Sequence, residues 1–410
     1  MKASFILASM AAAMPLQLTL QDKPLSESLS QSIEGLEKQI TYLQGEMEEL
    51  IEHLVGSSKS DVEWVADSDS YVPKASGPIQ NSSLTIYENL VASPNHTELV
   101  VLLSNFSDIV ELLNDTTSNL TFFAPTNKAF ETPLNLTKSE IHDSLLYQLV
   151  PGNSSSGAVV LSQTLGSMFL DPTLGGRAQR LAISIKEGFS INHGAVNITS
   201  LSKSFSVNGI FHSVDSFLKV PSKIVDTLLD TTADYVWFSS ALNSTGLLSK
   251  VKDFKGTVFA PTDLAFSKLA APIQAFLQGP DGAPYLEAIL KFHLVPNTIV
   301  YSDYIYSDTV LEGPIPKGKY ILGVETMLTS TGALPTQSLR LSITAWGPVA
   351  HFTVNVINPV STTDWIADDG VIQSLGKILI PPRILPGGAV DYFTPCMTVA
   401  DLMERLAGYV

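Results

Sequence analysis

The chain has 410 residues, which is enough for two or three domains that each build a hydrophobic core. Its hydrophobic content of 45% is ordinary for a globular protein, and its charged content of 16% is low. The net charge of −16, with no cluster of lysine and arginine, argues against nucleic acid and anionic membranes as partners, because both reward clustered positive charge.

The first residues have the pattern of a secretory signal peptide. Lys2 supplies the positive charge, the segment from Ala3 to Ala13 is apolar, and its last three alanines suit a cleavage region. The apolar run is too short and too rich in alanine for a transmembrane helix. We therefore expect residues 1–19 to be a signal peptide and the mature chain to be secreted.

Residues 25–55 carry a heptad pattern of about four repeats. Leucines recur every seven residues, and other apolar residues fall between them at spacings of four and three. This pattern predicts either a parallel two-stranded coiled coil, which would make a homodimer, or an amphipathic helix lying on the protein's own first domain. Residues 56–81, which are rich in Ser, Asp, Gly and Pro, are predicted to be a linker.

One ten-residue phrase then occurs twice, 136 residues apart. Thr121–Phe130 reads TFFAPTNKAF and Thr257–Phe266 reads TVFAPTDLAF, so seven positions are identical. The aromatic and β-branched residues predict a short buried strand that ends at Ala-Pro. The Thr and Asn/Asp that follow are predicted to cap the next helix. Such a corner builds a fold and implies no nucleophile, metal ligand or phosphate loop.

Two further blocks repeat in the same order. Residues 146–151 (LYQLVP) correspond to residues 291–296 (KFHLVP), and each block ends a helix-like stretch. Residues 209–221 correspond to residues 370–382, and their alternation after a glycine predicts a half-buried strand. Three collinear blocks in each copy indicate a duplicated domain.

These three blocks resemble the signatures of the fasciclin (FAS1) domain family. The resemblance covers residues 82–221 and 222–382, each as one domain. It implies an α+β fold of two tandem domains, each with a β-sandwich-like core and flanking helices, preceded here by the amphipathic or coiled-coil helix. It also implies an extracellular protein associated with adhesion or matrix contacts.

The resemblance also suggests adhesion residues, which we carry over position by position. The family's central aromatic-His pair corresponds to Phe292 and His293 in the second copy, whereas the first copy has Tyr147 and Gln148. The apolar run before His293 favours a buried position for it. A second adhesive segment, Asp-Ile in some members, corresponds to Asp364 and Trp365. No Arg-Gly-Asp occurs, so integrin binding is not expected.

Sequons for N-glycosylation occur at nine of the sixteen asparagines. Eight of the nine precede residue 222, so we expect a sugar-coated first domain and a barer second one. The sequon asparagines are Asn81, Asn95, Asn105, Asn114, Asn119, Asn135, Asn153, Asn197 and Asn243.

The C-terminal tail, residues 383–410, does not have the pattern of a lipid anchor. Thr398 and Asp401 predict a capping box that opens a short helix, with Val399, Leu402, Met403 and Leu406 on one face. Cys396 is the single cysteine, so an intramolecular disulfide is excluded. It is either a partly buried small apolar residue or a thiol that pairs with another chain.

No catalytic pattern is present. The seven histidines are scattered without metal-ligand spacing, and there is no nucleophile elbow, phosphate loop or dinucleotide fingerprint. The sequence predicts no catalytic residue, no metal and no cofactor. Asp368 and Asp369 lie beside Gly370, where a solvated turn explains them.

The leading hypothesis is a secreted, N-glycosylated, non-catalytic protein that contacts a cell-surface, matrix or cell-wall component, either protein or polysaccharide. The mature form is expected to be extracellular, in some settings wall-associated, without membrane insertion and without nucleic acid. The alternative is a secreted module that binds a lipid or another small apolar molecule.

Overall fold

The computed structural model describes two domains and the C-terminal helix. It covers residues 62–63, 74–75, 83–152, 163–184, 190–230, 234–308, 312–316, 318–328, 337–346, 349–355, 357–384, 390–391 and 398–410. The predicted signal peptide, the heptad segment 25–55 and Cys396 lie outside the described residues, as does most of the predicted linker. Two short strand pairs, β1 (Val62–Glu63) with β2 (Lys74–Ala75) and β20 (Arg383–Ile384) with β21 (Val390–Asp391), complete the described chain.

The first domain, residues 83–221, begins with helices and continues into a sheet. Its first and last helices open with capping boxes, in which Thr85 pairs with Glu88 and Thr137 pairs with Glu140. Its elements are α1 (Ile86–Ala92), α2 (Thr97–Leu103), α3 (Ser107–Asn114), β3 (Leu120–Pro125), a 3-10 turn (Asn127–Phe130), α4 (Lys138–Tyr147), β4 (Leu149–Pro151), β5 (Thr164–Asp171), β6 (Arg177–Ser184), β7 (Ser190–Ile191), β8 (Val196–Ser206) and β9 (Gly209–Val214).

The second domain comprises residues 222–384 and the C-terminal helix, and it repeats this plan with more helix. Its helices are α5 (Ile224–Asp230), α6 (Val236–Ser244), α7 (Leu247–Lys252), α8 (Asp263–Ser267), α9 (Ala271–Gln278), α10 (Ala283–Phe292) and α11 (Val399–Leu406), with a 3-10 turn at Pro280–Gly282. Its strands are β10 (Gly256–Pro261), β11 (Leu294–Pro296), β12 (Thr298–Val300), β13 (Tyr304–Ser307), β14 (Gly313–Pro314), β15 (Gly318–Glu325), β16 (Ser338–Trp346), β17 (Val349–Val354), β18 (Asn358–Ala367) and β19 (Gly370–Leu375).

Both domains contain a seven-stranded sheet of the same order. The first runs β4-β3-β9-β8-β7-β6-β5 and the second runs β11-β10-β19-β18-β17-β16-β15. In each, the strand of the duplicated phrase pairs in parallel with the last strand of the domain, and every other pairing is antiparallel. The predicted α+β class and the tandem duplication are therefore confirmed.

The strands after Gly209 and Gly370 differ from the prediction. Each is the third strand of its seven-stranded sheet and has a partner on both sides, so β19 is buried along its whole length and β9 is buried at all but one position. The predicted half-buried alternation was wrong, because burial here depends on sheet position rather than on local pattern. A Cβ on Gly209 would lie 1.9 Å from the Leu120 carbonyl oxygen, and one on Gly370 would lie 2.0 Å from that of Gly256.

The C-terminal helix α11 belongs to the second core. Its predicted capping box is present between Thr398 and Asp401, and Leu402 and Leu406 are buried against that core. Met403 was predicted to lie on the same apolar face, and this was wrong, because its side chain is 40% exposed. Within the described residues, no helix is both long enough and apolar enough to cross a membrane.

Candidate functional site

In each copy of the duplicated phrase, which we call the corner, one side chain binds the start of a helix that comes earlier in the chain. The Asn127 side chain accepts the Glu98 N–H at 3.1 Å, near the start of α2, and the Asp263 side chain accepts the Trp237 N–H at 2.8 Å, near the start of α6. Thr262 caps α8 as predicted, through the Ala265 N–H at 3.3 Å. Thr126 makes no such cap and donates instead to the Val214 carbonyl at 3.1 Å. The predicted cap therefore holds in the second copy only.

Phe292 and His293 are fully buried at the end of α10. The His293 Nδ1–H donates to the Ile289 carbonyl at 2.8 Å, and its Nε2 accepts the Leu379 N–H at 3.0 Å. Burial lowers the pKa of His293 to about 4, so the ring is neutral near pH 7. The ring thus ties α10 to the segment after β19.

Gln148 makes the same two contacts in the first domain. Its Nε2–H donates to the Ser144 carbonyl at 3.0 Å, four residues earlier, and its Oε1 accepts the Leu218 N–H at 3.5 Å. Gln148 is also fully buried. An amide and a neutral imidazole each offer one donor and one acceptor, so they satisfy the same pair of backbone groups.

Asp364 is buried at an irregularity of strand β18, in the left-handed backbone region with φ 62°. Its carboxyl accepts hydrogen bonds from the Ser302 N–H at 2.9 Å, the Ser302 hydroxyl and the Gln373 amide at 2.9 Å. Burial raises its pKa to about 6, and the neighbouring Asp303 adds to that rise. These contacts are internal to the second domain.

Trp365 lies at the junction between the two domains. Its ring stacks on that of His193 from the first domain, with 4.4 Å between ring centroids and 23° between planes. The His193 Nε2–H also donates to the Asp364 carbonyl oxygen at 3.1 Å. Two of the predicted adhesion residues therefore contact the other domain.

A buried arginine stands at the centre of this junction. Arg180 of strand β6 donates through Nε to the Thr164 hydroxyl at 2.6 Å, and its Nη2 lies 3.7 Å from a carboxylate oxygen of Asp303 in the second domain. Asp303 also accepts the Thr164 backbone N–H at 2.8 Å. The guanidinium lies 4.4 Å from the ring centroid of Tyr304, which adds a cation–π contact.

A second arginine, Arg177, binds two carboxylates at the edge of the domain junction. Arg177 donates to both oxygens of Glu312 at 2.9 Å and to Asp308 at 2.6 Å. These hydrogen bonds raise the pKa of Arg177 and hold that of Asp308 below its usual value. Charge-assisted, two-point binding of this kind fixes orientation as well as distance.

Apolar side chains from both domains fill the space between these polar contacts. One buried cluster spans the two domains, and Tyr306 also donates its hydroxyl to the Ala178 carbonyl at 2.8 Å. The junction is thus a packed interface between the two domains. The cluster comprises Leu174, Ala182, Ile299, Tyr301, Tyr306, Ile366 and Val371.

The sequence did not point to these junction residues. Arg180 and Asp303 are more than a hundred positions apart, and neither belongs to a repeated block. A usable signal was the pair of arginines, Arg177 and Arg180, in one short segment of a chain with only 24 lysines and arginines. Charged side chains in such a segment need partners from elsewhere.

Seven of the nine sequon asparagines lie within the described residues. Six are exposed and Asn114 is half-buried, while Asn81 and Asn153 lie outside the described ranges. Asn243 alone of the seven belongs to the second domain. The exposed six are Asn95, Asn105, Asn119, Asn135, Asn197 and Asn243.

The duplicated corner presents different surfaces in the two domains. In the first, the Asn127 N–H donates to the carbonyl of the sequon residue Asn95 at 2.8 Å. In the second, the Asp263 N–H donates to the carbonyl of Asp234 at 2.7 Å, and the flanking Val236 and Leu264 are 55% and 66% exposed. One corner therefore carries a glycosylation sequon where the other carries two exposed apolar side chains.

No group of three or more metal-binding side chains occurs among the described residues. The predicted absence of catalytic and cofactor residues stays a prediction.

Comparison with known proteins identifies both repeats. Residues 94–221 and residues 233–381 match the sequence model of the Fasciclin domain, which together is more than half of the chain.

The Aurofusarin biosynthesis cluster protein S of Gibberella zeae is 26% identical over 361 residues, which cover 81% of this chain and 85% of that protein. Human Periostin is 25% identical over 276 residues, which cover 64% of this chain and 28% of that protein.

A solved structure of a FAS1 domain pair from the insect cell adhesion molecule Fasciclin I is similar over 69% of this chain and 95% of that one, at 14% identity and a TM-score of 0.32.

Proposed function

Since the chain belongs to the fasciclin family, we propose that it is a secreted, N-glycosylated, non-catalytic protein that adheres to a matrix, cell-surface or cell-wall component. The family is associated with adhesion and matrix contacts. The chain spans only about a quarter of Periostin, so the partner is proposed from this chain's own surface.

Exposure of the sequons supports secretion. Six of the seven described sequon asparagines reach solvent, and attached glycans would cover much of the helical side of the first domain. A partner is therefore expected to contact the second domain, where Asn243 is the one described sequon.

The observation that carries this proposal is the contrast at the duplicated corner. Val236 and Leu264 flank the start of α6 and the start of α8, which the Asp263 side chain joins. Contiguous exposed apolar surface is a feature of protein and ligand contact sites. We assign partner binding to this pair, which we call the apolar corner.

The four residues suggested by family resemblance fit this role less well. A partner cannot reach Phe292, His293 or Asp364 while the second domain is folded, because all three are buried. Trp365 is partly exposed but is stacked on His193. Direct adhesion through these residues stays a prediction.

The test is retention of cells or wall polysaccharide on immobilised full-length protein, in native and deglycosylated form. The variants Val236→Asp and Leu264→Asp should reduce retention at least about fivefold, because each puts a charge where apolar surface is to be buried. The matched control is Val101→Asp, at an exposed valine of the first domain. Equal retention by all three variants would contradict the proposal.

The alternative is a secreted module that binds a small apolar molecule. Support comes from the Gibberella zeae relative, which is named as a biosynthesis cluster protein and aligns along most of both chains. Native mass spectrometry of the purified chain should then find a stoichiometric small molecule, which is released on unfolding. A chain that carries only glycan mass would favour adhesion instead.

Dimerisation through residues 25–55 is a separate proposal, on a segment outside the described residues. A coiled coil predicts a dimer in sedimentation at micromolar concentration and a monomer after deletion of residues 25–55. A full-length monomer at that concentration would favour the alternative of a helix packed on the protein's own first domain.

A further inference from the structure

The two domains meet through a pair of carboxyl groups as well as through the arginine contacts. Asp171 ends strand β5 of the first domain and is 1% exposed, and it lies beside the half-buried Asp368 of the second domain, because both carboxyls accept hydrogen bonds from Thr173, through its N–H at 2.7 Å and its hydroxyl at 3.3 Å. Two carboxylates held side by side repel each other, so this contact is favoured when Asp368 is protonated.

The other partners of this pair are neutral. Asp171 accepts the Thr173 N–H at 2.7 Å and the Gln179 amide at 3.2 Å, and Asp368 accepts the Thr173 hydroxyl at 3.3 Å. The Gln179 amide also donates to the Ala367 carbonyl at 3.0 Å, across the junction. None of these donors carries a positive charge that could offset two carboxylates.

The charged groups nearby are already engaged or add negative charge. Arg177 is the cross-strand neighbour of Asp171, but its guanidinium binds Asp308 and Glu312. Asp369 follows Asp368 and accepts the Ile224 N–H at 2.7 Å. Lys223 lowers the pKa of Asp369, and Asp226 raises it.

We propose that the domain junction is an acid-closed latch, in which a proton on Asp368 beside Asp171 holds the domains together and its loss favours their separation. The arginine contacts hold the junction closed, and the carboxyl pair makes the stability of this closed junction depend on pH.

The sign follows from proton binding. Burial and the adjacent Asp171 raise the pKa of Asp368 from 3.8 to about 6 in the closed junction. An opened junction returns this carboxyl to solvent and to its ordinary pKa. Between those values the closed form holds one more proton, so a rise in pH shifts the equilibrium toward the open form.

One amide reports directly on the latch. The Thr164 N–H of the first domain donates to Asp303 of the second, so it is protected from hydrogen exchange while the junction is closed. The Phe123 N–H, which donates to the Gln148 carbonyl at 3.0 Å inside the first domain, is the internal reference.

The experiment is residue-resolved hydrogen exchange on the deglycosylated full chain at pH 4.5 and pH 7, corrected for intrinsic exchange rates. We expect protection of the Thr164 amide, relative to that of Phe123, to fall about tenfold or more as the pH rises. Asp368→Asn supplies a neutral donor to Asp171, so it should keep high protection at both pH values.

Two variants separate the latch from other titrations. Asp171→Asn removes the neighbouring carboxylate that adds to the raised pKa of Asp368 and should weaken the pH dependence, whereas Asp253→Asn, at an exposed aspartate after α7, should keep it in full. Far-UV circular dichroism verifies that each variant is folded. Protection of Thr164 that is independent of pH in the wild type, or a pH dependence that survives in Asp368→Asn, overturns the proposal.

Discussion

The two domains make the same pair of buried hydrogen bonds with different side chains. Gln148 in the first and His293 in the second each join a carbonyl four residues earlier to the backbone N–H of Leu218 or Leu379. The family's central histidine is thus a connector between a helix end and the segment after the central strand in this chain. A residue that looks like a functional signature can be replaced when its two hydrogen bonds are kept.

The exposed surfaces of the two corners differ, whereas the buried hydrogen bonds of Gln148 and His293 are equivalent. The corner of the first domain carries the sequon at Asn95, and that of the second exposes Val236 and Leu264. Duplication preserved the internal hydrogen bonds, while the exposed side of each corner diverged. Interior positions should therefore respond alike in the two domains, and exposed positions should not.

The largest expected effect is at the central glycines, where the domains should behave alike. Gly209→Ala and Gly370→Ala each push a Cβ into the backbone of the parallel neighbour strand, which should cost more than about 5 kcal/mol and unfold the domain concerned. Chemical denaturation followed by far-UV circular dichroism should lose one domain's amplitude in each variant.

Tryptophan fluorescence tells the two outcomes apart. The first domain has no tryptophan, whereas Trp237, Trp346 and Trp365 belong to the second. Gly370→Ala should abolish the fluorescence transition and Gly209→Ala should keep one. Gly376→Ala is the matched control, because no atom lies within 4 Å of its added Cβ. Normal folding of either central variant would contradict the shared role.

The connector itself gives the next largest effect. His293→Ala leaves the Leu379 N–H and the Ile289 carbonyl buried without partners and opens a cavity, which should destabilise the second domain by about 4 kcal/mol. His293→Gln reproduces the arrangement of the first domain and should cost less than about 1.5 kcal/mol. Urea unfolding followed by tryptophan fluorescence measures both, and equal losses would refute equivalence of the two connectors.

Low pH should distinguish His293 from Gln148, because only the histidine side chain can be protonated. The pKa of His293 falls from 6.5 to about 4 on folding, so its contribution is present above pH 6.5 and is lost as the pH falls toward 4. The shift corresponds to about 3 kcal/mol. The stability difference between wild type and His293→Gln should therefore move by that amount between pH 7 and pH 4, in favour of Gln at low pH. Buried carboxyls of the same domain cancel in this difference.

Local patterns predicted the parts of the molecule that local chemistry determines. The strand that ends at Ala-Pro, the capping box at Thr398 and the duplication were readable because each depends on a few adjacent residues. Full burial of β9 and β19 was not readable, since it depends on which strands flank them. The junction was hidden for the same reason, because Arg180 meets Asp303 only after both domains have folded.

The corner residues Asn127 and Asp263 give the smallest and most discriminating test. Each accepts an N–H at the start of a helix, where a negative charge also interacts favourably with the helix dipole. On that ground Asp263→Asn should cost about 0.5 kcal/mol by removing the charge. The reverse change, Asn127→Asp, should bring no gain, because the Asn127 amide also donates to the Pro94 carbonyl at 3.0 Å and a carboxylate there would face that oxygen.

Both swaps should therefore destabilise, and truncation to Ala should cost about 1 kcal/mol or more in either domain. Chemical denaturation read by circular dichroism for Asn127 and by fluorescence for Asp263 has the precision to rank the variants. A more stable Asn127→Asp would mean that the dipole outweighs the Pro94 contact and that the two corners are interchangeable. The expected loss in both directions would mean that each copy has adapted its corner residue to the helix that it now holds.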